Sequence, residues 1–219
     1  KNLPVIKSGR YKGIPRIFII AREIVSHSDG RIDEKTIETY INACQQNTII
    51  TVGELWALPI MIRAALMESL GEIVQSIVFA ENEINKGEYT ADVLINAIYE
   101  NNVDAVLVDI KKSSMDYNSH FVSSMIKALR DNCVDNHSIY QWIEWELEKK
   151  DTSIDKLISL EHQKQACCQI LMGNCITGIR DTGNLNWKVW FEKLSLVEKI
   201  LREDPYGLYG SMDFQTRDH

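Results

Sequence analysis

The sequence predicts an all-α fold, an irregular array of about ten helices with no significant β-sheet, from three observations. The 219 residues contain only 4 Pro and 11 Gly, so few positions interrupt long helices. Capping boxes such as Thr51-x-x-Glu54 precede segments whose apolar residues recur at helical spacing. No two segments alternate apolar and polar residues in the way that paired strands do.

The predicted helices follow one another from Pro15, which occupies a first-turn position. Asp33 opens the second helix, and the longest helix runs from Thr51 to about residue 80, with Pro59 inside it. A polar stretch over residues 81–88 is expected to end that helix. The later helices are expected at about 91–100, 103–110, 117–133, 138–149, 152–172, 174–181, 187–193 and 195–204. The segment 103–110 is rich in Val and Ile, but it lacks a partner strand, so a helix is favoured.

Composition and charge exclude several classes of protein. A chain that is 45% hydrophobic and 25% charged is typical of a folded globular domain and not of a disordered one. A formal net charge of −7 without a basic run opposes binding to nucleic acid or to an anionic membrane surface. The most apolar stretch, 55–80, carries Arg63, Glu68 and Glu72, which favours a buried helix over a direct membrane span.

The expected organisation is a single helical domain over residues 1–219, alternatively with two sub-bundles at about 1–110 and 111–219. The chain begins at Lys1 and ends at His219 within a polar segment. We therefore expect it to be a fragment of a larger protein.

No residue pattern predicts a metal, a cofactor or a catalytic group. The five cysteines include no C-x-x-C, and the five histidines are scattered singly, so no zinc pattern forms. The motif HSDGRID at 27–33 is better explained as a helix end, a glycine turn and an Asp N-cap than as a metal or substrate site. Glu161 and His162 are adjacent, but neighbours on a helix diverge by about 100° and cannot share a proton path.

Two charged side chains are predicted to point into the core. Arg63 lies on the apolar face of the longest helix, and Glu54 is expected on the opposite face. Because a buried guanidinium needs a carboxylate partner, we predict a structural ion pair between Arg63 and Glu161, which lies on the apolar stripe of its own helix. Glu23 and Asp213 are the fallback partners. An anion or sugar-phosphate site at Arg63 is the less favoured alternative.

Two tryptophan pairs at i,i+3 spacing are candidates for stacking against sugar rings. They are Trp142 with Trp145 and Trp187 with Trp190. Aromatic residues at this spacing belong to a core far more often than to a sugar site.

Six motifs occur in order along the chain: LPVIKSGRYKGIPRIF, HSDGRID, TVGELWALPIMIRAAL, EHQKQA, NWKVWFEKLSLVEKILREDP and MDFQTRD. Through them the sequence resembles the N-terminal region of the bacterial cyclic β-1,2-glucan synthases. The motifs cover nearly the whole chain, with a less clear match over about 82–140, and GELWALP-x-M-x-R is quite specific.

The resemblance implies a place in a large polytopic inner-membrane protein with a glycosyltransferase domain that uses UDP-glucose. This chain would lie before the first membrane helices, on the cytoplasmic side. The transferase motifs D-x-D and Q-x-x-R-W are absent from it, so no catalytic residue of the family carries over to a position here. No cofactor is expected in this part of the protein.

The function expected from the resemblance is that of a non-catalytic helical module that braces the transferase domain or contacts the glucan. Its partners would be the other domains of the same polypeptide and β-1,2-glucan. The alternative is an independent carbohydrate-active enzyme domain, a glycosidase or transferase that uses a Glu/Asp pair. A deep cleft with two carboxylates roughly 5–10 Å apart would favour the enzyme. Acids in ion pairs and an exposed apolar patch would favour the module.

Overall fold

The structure is a computed structural model that describes residues 3–112 and 116–212. Those residues form ten helices and no strand or sheet, which confirms the all-α prediction. The helices are α1 (Arg16–His27), α2 (Glu34–Asn47), α3 (Val52–Tyr99), α4 (Val103–Lys112), α5 (Ser119–Asp131), α6 (His137–Glu148), α7 (Ile154–Asn184), α8 (Trp187–Leu194), α9 (Leu196–Leu201) and α10 (Leu208–Ser211).

Contacts between residues divide the chain into two compact units. Unit 1 comprises Lys1–Gly71 and Leu171–His219, and unit 2 comprises Glu72–Ile170. The long helices α3 and α7 each contribute residues to both units. The expectation of one domain with sub-bundles at about 1–110 and 111–219 stays a prediction.

Helix α3 is continuous over 48 residues, whereas the sequence predicts two helices separated by the polar stretch 81–88. Within that stretch Lys86 Nζ donates to Glu83 Oε1 at 2.5 Å, one turn earlier on the same helix. Gly87 allows α5 to approach closely, because a Cβ there would overlap Ser124 Oγ and the Phe121 carbonyl oxygen. The polar stretch is therefore a packed helical segment and not a linker.

Helix α7 is also longer than predicted. Its 31 residues join the two helices expected at 152–172 and 174–181. Gly173 lies at the expected break, but a single glycine costs only about 1 kcal/mol in a helix interior. No proline follows it before α7 ends, so nothing removes a hydrogen-bond donor from the helix.

Two helix starts predicted from local signals form as expected, whereas Pro15 is the N-cap of α1 and not a first-turn residue, because its ψ of 130° is extended and α1 begins at Arg16. The Asp33 side chain accepts a hydrogen bond from Thr36 N at 2.8 Å and caps α2. Thr51 and Glu54 form the reciprocal capping box at the start of α3, with Glu54 N donating to Thr51 Oγ1 and Thr51 N donating to Glu54 Oε2. The segment 103–110 is helical, within α4.

Each unit buries its own apolar side chains. In unit 1, Ile17, Ile24, Ile37, Ile41, Leu58, Ile62 and Leu66 are fully buried. The unit 2 core draws Leu94 from α3, Phe121, Met125 and Leu129 from α5, and Ile139 and Leu147 from α6. Burying one such side chain contributes about 1.5–3 kcal/mol, so packing of amphipathic helices stabilises both units.

Among the described residues, no helix combines the length and the apolar character that crossing a bilayer requires.

Candidate functional site

The described part of unit 2 contains a pocket of about 620 Å³ that is lined by α3, α5 and α7. The α3 wall is largely apolar and includes Ile77, Phe79, Ala80 and Ile84. Small-molecule sites typically have volumes of about 300–1,000 Å³ and mostly apolar walls with a few polar groups. This pocket is therefore the candidate functional site.

A buried carboxylate lines the pocket from α7. Glu161 is only 3% exposed, and its Oε1 accepts a hydrogen bond from Gln165 Nε2 at 2.8 Å. Its Oε2 lies 2.7 Å from His120 Nδ1, a close contact that becomes an ion pair when His120 is protonated. The contact is not aligned as a hydrogen bond, and neither atom has an aligned partner elsewhere in residues 3–112 or 116–212. The polar wall of the pocket is thus incompletely satisfied.

The first turn of α5 fixes the position of His120. Asn118 caps this helix by accepting a hydrogen bond from Phe121 N at 3.0 Å, and its Nδ2 donates to Glu83 Oε2 at 2.6 Å. The Phe79 ring meets the His120 ring edge to face, with 6.2 Å between the ring centroids. Residues of α3 and α5 therefore hold the imidazole beside the pocket.

Glu83 supports this arrangement from α3 as a charged acceptor. Hydrogen bonds from Lys86 and Asn118 hold the pKa of Glu83 below its ordinary value, although burial alone would raise it. A carboxylate that stays ionised accepts both hydrogen bonds and keeps the N-terminal turn of α5 in place.

The sequence correctly predicts that Glu161 is buried, but it does not identify His120 as the residue that Glu161 contacts. Those two residues are 41 positions apart on different helices, so no local spacing relates them. Arg63 belongs to unit 1, where it is half-buried and its Nε has no hydrogen-bond partner among the described residues. The pairing of Arg63 with Glu161 stays a prediction.

Of the two fallback partners of Arg63, Glu23 is among the described residues and Asp213 is not. Glu23 Oε2 lies 3.4 Å from His27 Nε2 on the same helix, and both side chains are exposed. Asp213 lies outside the described residues.

Glu54 is fully buried, which corrects the expectation that it lies on the outward face of α3. It sits in the first turn of that helix, where Arg16 from α1 reaches it with Nε–Oε1 and Nη2–Oε2 distances of 2.9 and 2.6 Å. Burial alone would raise the pKa of Glu54, but the hydrogen bonds from Arg16 and Thr51 outweigh it and hold the pKa below its ordinary value.

Every glutamate that is buried in the described chain has a basic side chain close to its carboxylate. In addition to Glu54 and Glu161, Glu83 contacts Lys86, and Glu198 Oε2 lies 3.5 Å from Arg202 Nε. Such pairing is the arrangement expected of structural acids.

The tryptophan candidates differ in how much of the ring is accessible. Trp142 and Trp190 are buried, and Trp187 is half-buried with its Nε1 donating to the Thr182 carbonyl oxygen at 2.9 Å. Trp145 is 51% exposed, but Lys149 Nζ lies 3.3 Å from its ring centroid. A stacking role for these residues stays a prediction, with Trp145 having the most accessible ring.

The HSDGRID segment has the structure of a connection between helices. Helix α1 ends at His27, and Asp29 and Gly30 follow with φ values of 50° and 74°. A Cβ on Gly30 would come within 2.7 Å of Cys175 Sγ, so both the turn and the packing favour glycine there. In the described ranges, no group of three or more His, Cys, Asp or Glu side chains could hold a metal ion.

Comparison with known proteins gives one informative similarity. The chain is 27% identical over 205 residues, 94% of its length, to the cyclic beta-(1,2)-glucan synthase NdvB of Rhizobium meliloti (strain 1021). The chain spans only 7% of the length of that relative. No family model matches the chain. The resemblance predicted from the sequence motifs is therefore confirmed.

Proposed function

We propose that the chain is a non-catalytic helical module of a cyclic β-1,2-glucan synthase, and that it contacts other parts of the same polypeptide. The observation that carries this proposal is the similarity to NdvB over 94% of the chain. A match over nearly all of this chain and only 7% of the relative fits one module of a much larger protein.

The contacts of the buried glutamates and the exposure of apolar side chains support the non-catalytic part of the proposal. The buried glutamates contact basic groups, as structural acids do. Large apolar side chains on α3 are exposed, including Ile60 and Met67 in unit 1 and Val74 and Val78 in unit 2. Ile60 and Met67 are seven positions apart, and Val74 and Val78 are four apart, so the members of each pair share one face of the helix. Exposed apolar faces are typical of surfaces that contact other domains.

The proposed partners are the transferase and membrane regions of the synthase, with β-1,2-glucan as a further partner. The proposed location is the cytoplasmic side of the inner membrane, as part of a membrane protein whose transferase domain uses UDP-glucose. Contact with the glucan would best use Trp145, whose ring is the most accessible of the four candidates.

The alternative is an independent carbohydrate-active enzyme that uses a pair of carboxylates. Its best candidates are Glu81 and Glu161, since both line the unit 2 pocket. The module is favoured because both oxygens of Glu161 already contact other side chains, Gln165 and His120.

Exchange of the matching stretch in NdvB tests the proposal. We expect its deletion to abolish cyclic β-1,2-glucan formation from UDP-glucose in membranes, and its replacement by this chain to restore formation. When the inserted chain carries Met67→Glu, we expect less glucan synthesis, because the substitution places a charge on the apolar surface proposed to contact other domains. Gln46→Glu, a change at an exposed polar position of unit 1, is the control. Full synthesis by the deleted protein would contradict the proposal.

A further inference from the structure

We propose that the unit 2 pocket binds a single-chain amphiphile with a hydrogen-bond acceptor in its head group, of which a fatty carboxylate is the simplest example. The proposal goes beyond the role in glucan synthesis and depends only on side chains of unit 2.

The α3 wall suits the apolar chain of such a ligand. Ile77 and Phe79 are 40% and 55% exposed, and Ala80 and Ile84 continue the wall as half-buried residues. Leaving a large aromatic ring in water is unfavourable, and an apolar chain in the pocket would remove water from it. Ala80 leaves open space that a larger side chain would occupy.

The opposite wall suits an acceptor head group, because its uncommitted polar atoms include donors. Among the described residues, Lys164 Nζ donates one hydrogen bond, to Ser119 Oγ at 3.0 Å, and an ammonium group has three donors. The oxygens of Glu161 already face Gln165 and His120. Glu81, the other carboxylate of the lining, lies on α3 and is exposed to water. A carboxylate head beside Lys164 would gain a charge-assisted hydrogen bond.

A sugar is a poorer occupant of the same space. It carries hydroxyl groups around the whole ring, and each needs a hydrogen-bond partner when it is buried. On the α3 side only Ser76 and Glu81 carry polar side chains, and the remaining lining residues, Ile77, Phe79, Ala80 and Ile84, offer no side-chain partner.

Calorimetric titration of the whole purified chain tests the ligand class with three probes below their micellar concentrations. Dodecanoate should bind saturably with one site per chain. Dodecyltrimethylammonium has the same chain but no acceptor, so we expect it to bind at least tenfold more weakly. Sophorose, a β-1,2-linked disaccharide, should not bind. Equal affinity for the two amphiphiles, or binding of sophorose alone, would overturn the proposal.

Two substitutions test the location. Ala80→Trp fills the pocket and should weaken dodecanoate binding at least tenfold, whereas Lys164→Gln should weaken it several-fold by removing the charged donor. Gln46→Trp adds the same ring at an exposed position of unit 1 and should leave binding unchanged. Circular dichroism and melting temperature report whether each variant folds. Unchanged binding by a folded Ala80→Trp variant would refute the site.

Cysteine protection gives a second measurement on the unsubstituted chain, and it decides the matter if Ala80→Trp does not fold. Cys167 and Cys168 line the pocket, whereas Cys133 is exposed at the end of α5 and does not line it. Saturating dodecanoate should slow maleimide modification of Cys168 at least threefold relative to Cys133, as read by peptide mass spectrometry. Equal protection of the two thiols, or protection of neither, would overturn the proposal.

Discussion

Glu54 and Glu161 are both buried carboxylates on long helices, but their oxygens have different surroundings. The Glu54 oxygens receive hydrogen bonds from Arg16 and from the N–H and hydroxyl of Thr51. From the residues that the structure describes, Glu161 receives one hydrogen bond, and its second oxygen lies close to His120 without hydrogen-bond alignment, beside an open pocket. A fully matched carboxylate fixes structure, whereas an incompletely matched one stabilises the fold less.

The largest effect is expected at Glu54. Glu54→Gln should lower the free energy of unfolding by about 3 kcal/mol, because it removes the charge of a fully buried carboxylate and leaves Arg16 without its partner. Glu68 forms a comparable contact with Arg22 at 2.8 Å, and Arg22 is exposed to the same extent as Arg16, but the Glu68 side chain is 41% exposed whereas Glu54 is fully buried. Glu68→Gln is therefore the matched control and should cost less than about 1 kcal/mol. Urea melts of both variants measure the difference, and equal losses would show that burial does not distinguish the two acids.

Helix α5, which carries His120 to the pocket, approaches α3 closely at Gly87. Gly87→Ala should destabilise the chain by about 2 kcal/mol, since its Cβ would overlap α5 atoms that include a backbone oxygen. Gly71→Ala is the control in the same helix, where nothing lies within 4 Å of the added Cβ, and it should stabilise by up to about 1 kcal/mol. If thermal melts show that both variants change the stability in the same direction, the two helices do not approach closely at Gly87.

The contact between His120 and Glu161 should be measurable as a coupling. In a double-mutant cycle with His120→Leu and Glu161→Leu, we expect an interaction energy of about 1 kcal/mol, since the atoms are close but poorly aligned. The cycle with Arg63→Met and Glu161→Leu tests the pair predicted from the sequence. Additive effects of those two substitutions would exclude that pair, and additive effects in the first cycle would mean that His120 and Glu161 do not interact.

The smallest effect is the pH dependence of the Glu54 contribution. Because the folded-state pKa of Glu54 is lowered, its contribution is fully present above the unfolded value of 4.5 and is lost as pH falls through the folded pKa. The stability difference between the unsubstituted chain and Glu54→Gln should therefore be constant from pH 7 to about pH 5.5 and shrink below pH 4.5. A difference that grows on acidification would contradict the assigned direction. Urea melts across this range measure it.

The comparison also shows which features a single sequence predicts. The capping box at Thr51 and the Asp33 cap depend on residues three positions apart, so local spacing reveals them. Helix α3 continues through 81–88, where α5 packs against Gly87, but the sequence does not reveal this contact because a polar helix exposed on one side has the composition of a linker. The contact of Glu161 with His120 becomes visible only in the folded structure, because no local spacing in the sequence relates the two residues.

The most direct measurement of the central claim is glucosyl transfer by the purified chain, with labelled UDP-glucose as donor and a β-1,2-glucan acceptor. We expect no incorporation above a blank without protein. The Glu81→Gln and Glu161→Gln variants should give the same blank value. Turnover by the unsubstituted chain that either substitution abolishes would contradict a non-catalytic module and would assign the unit 2 pocket to an enzyme.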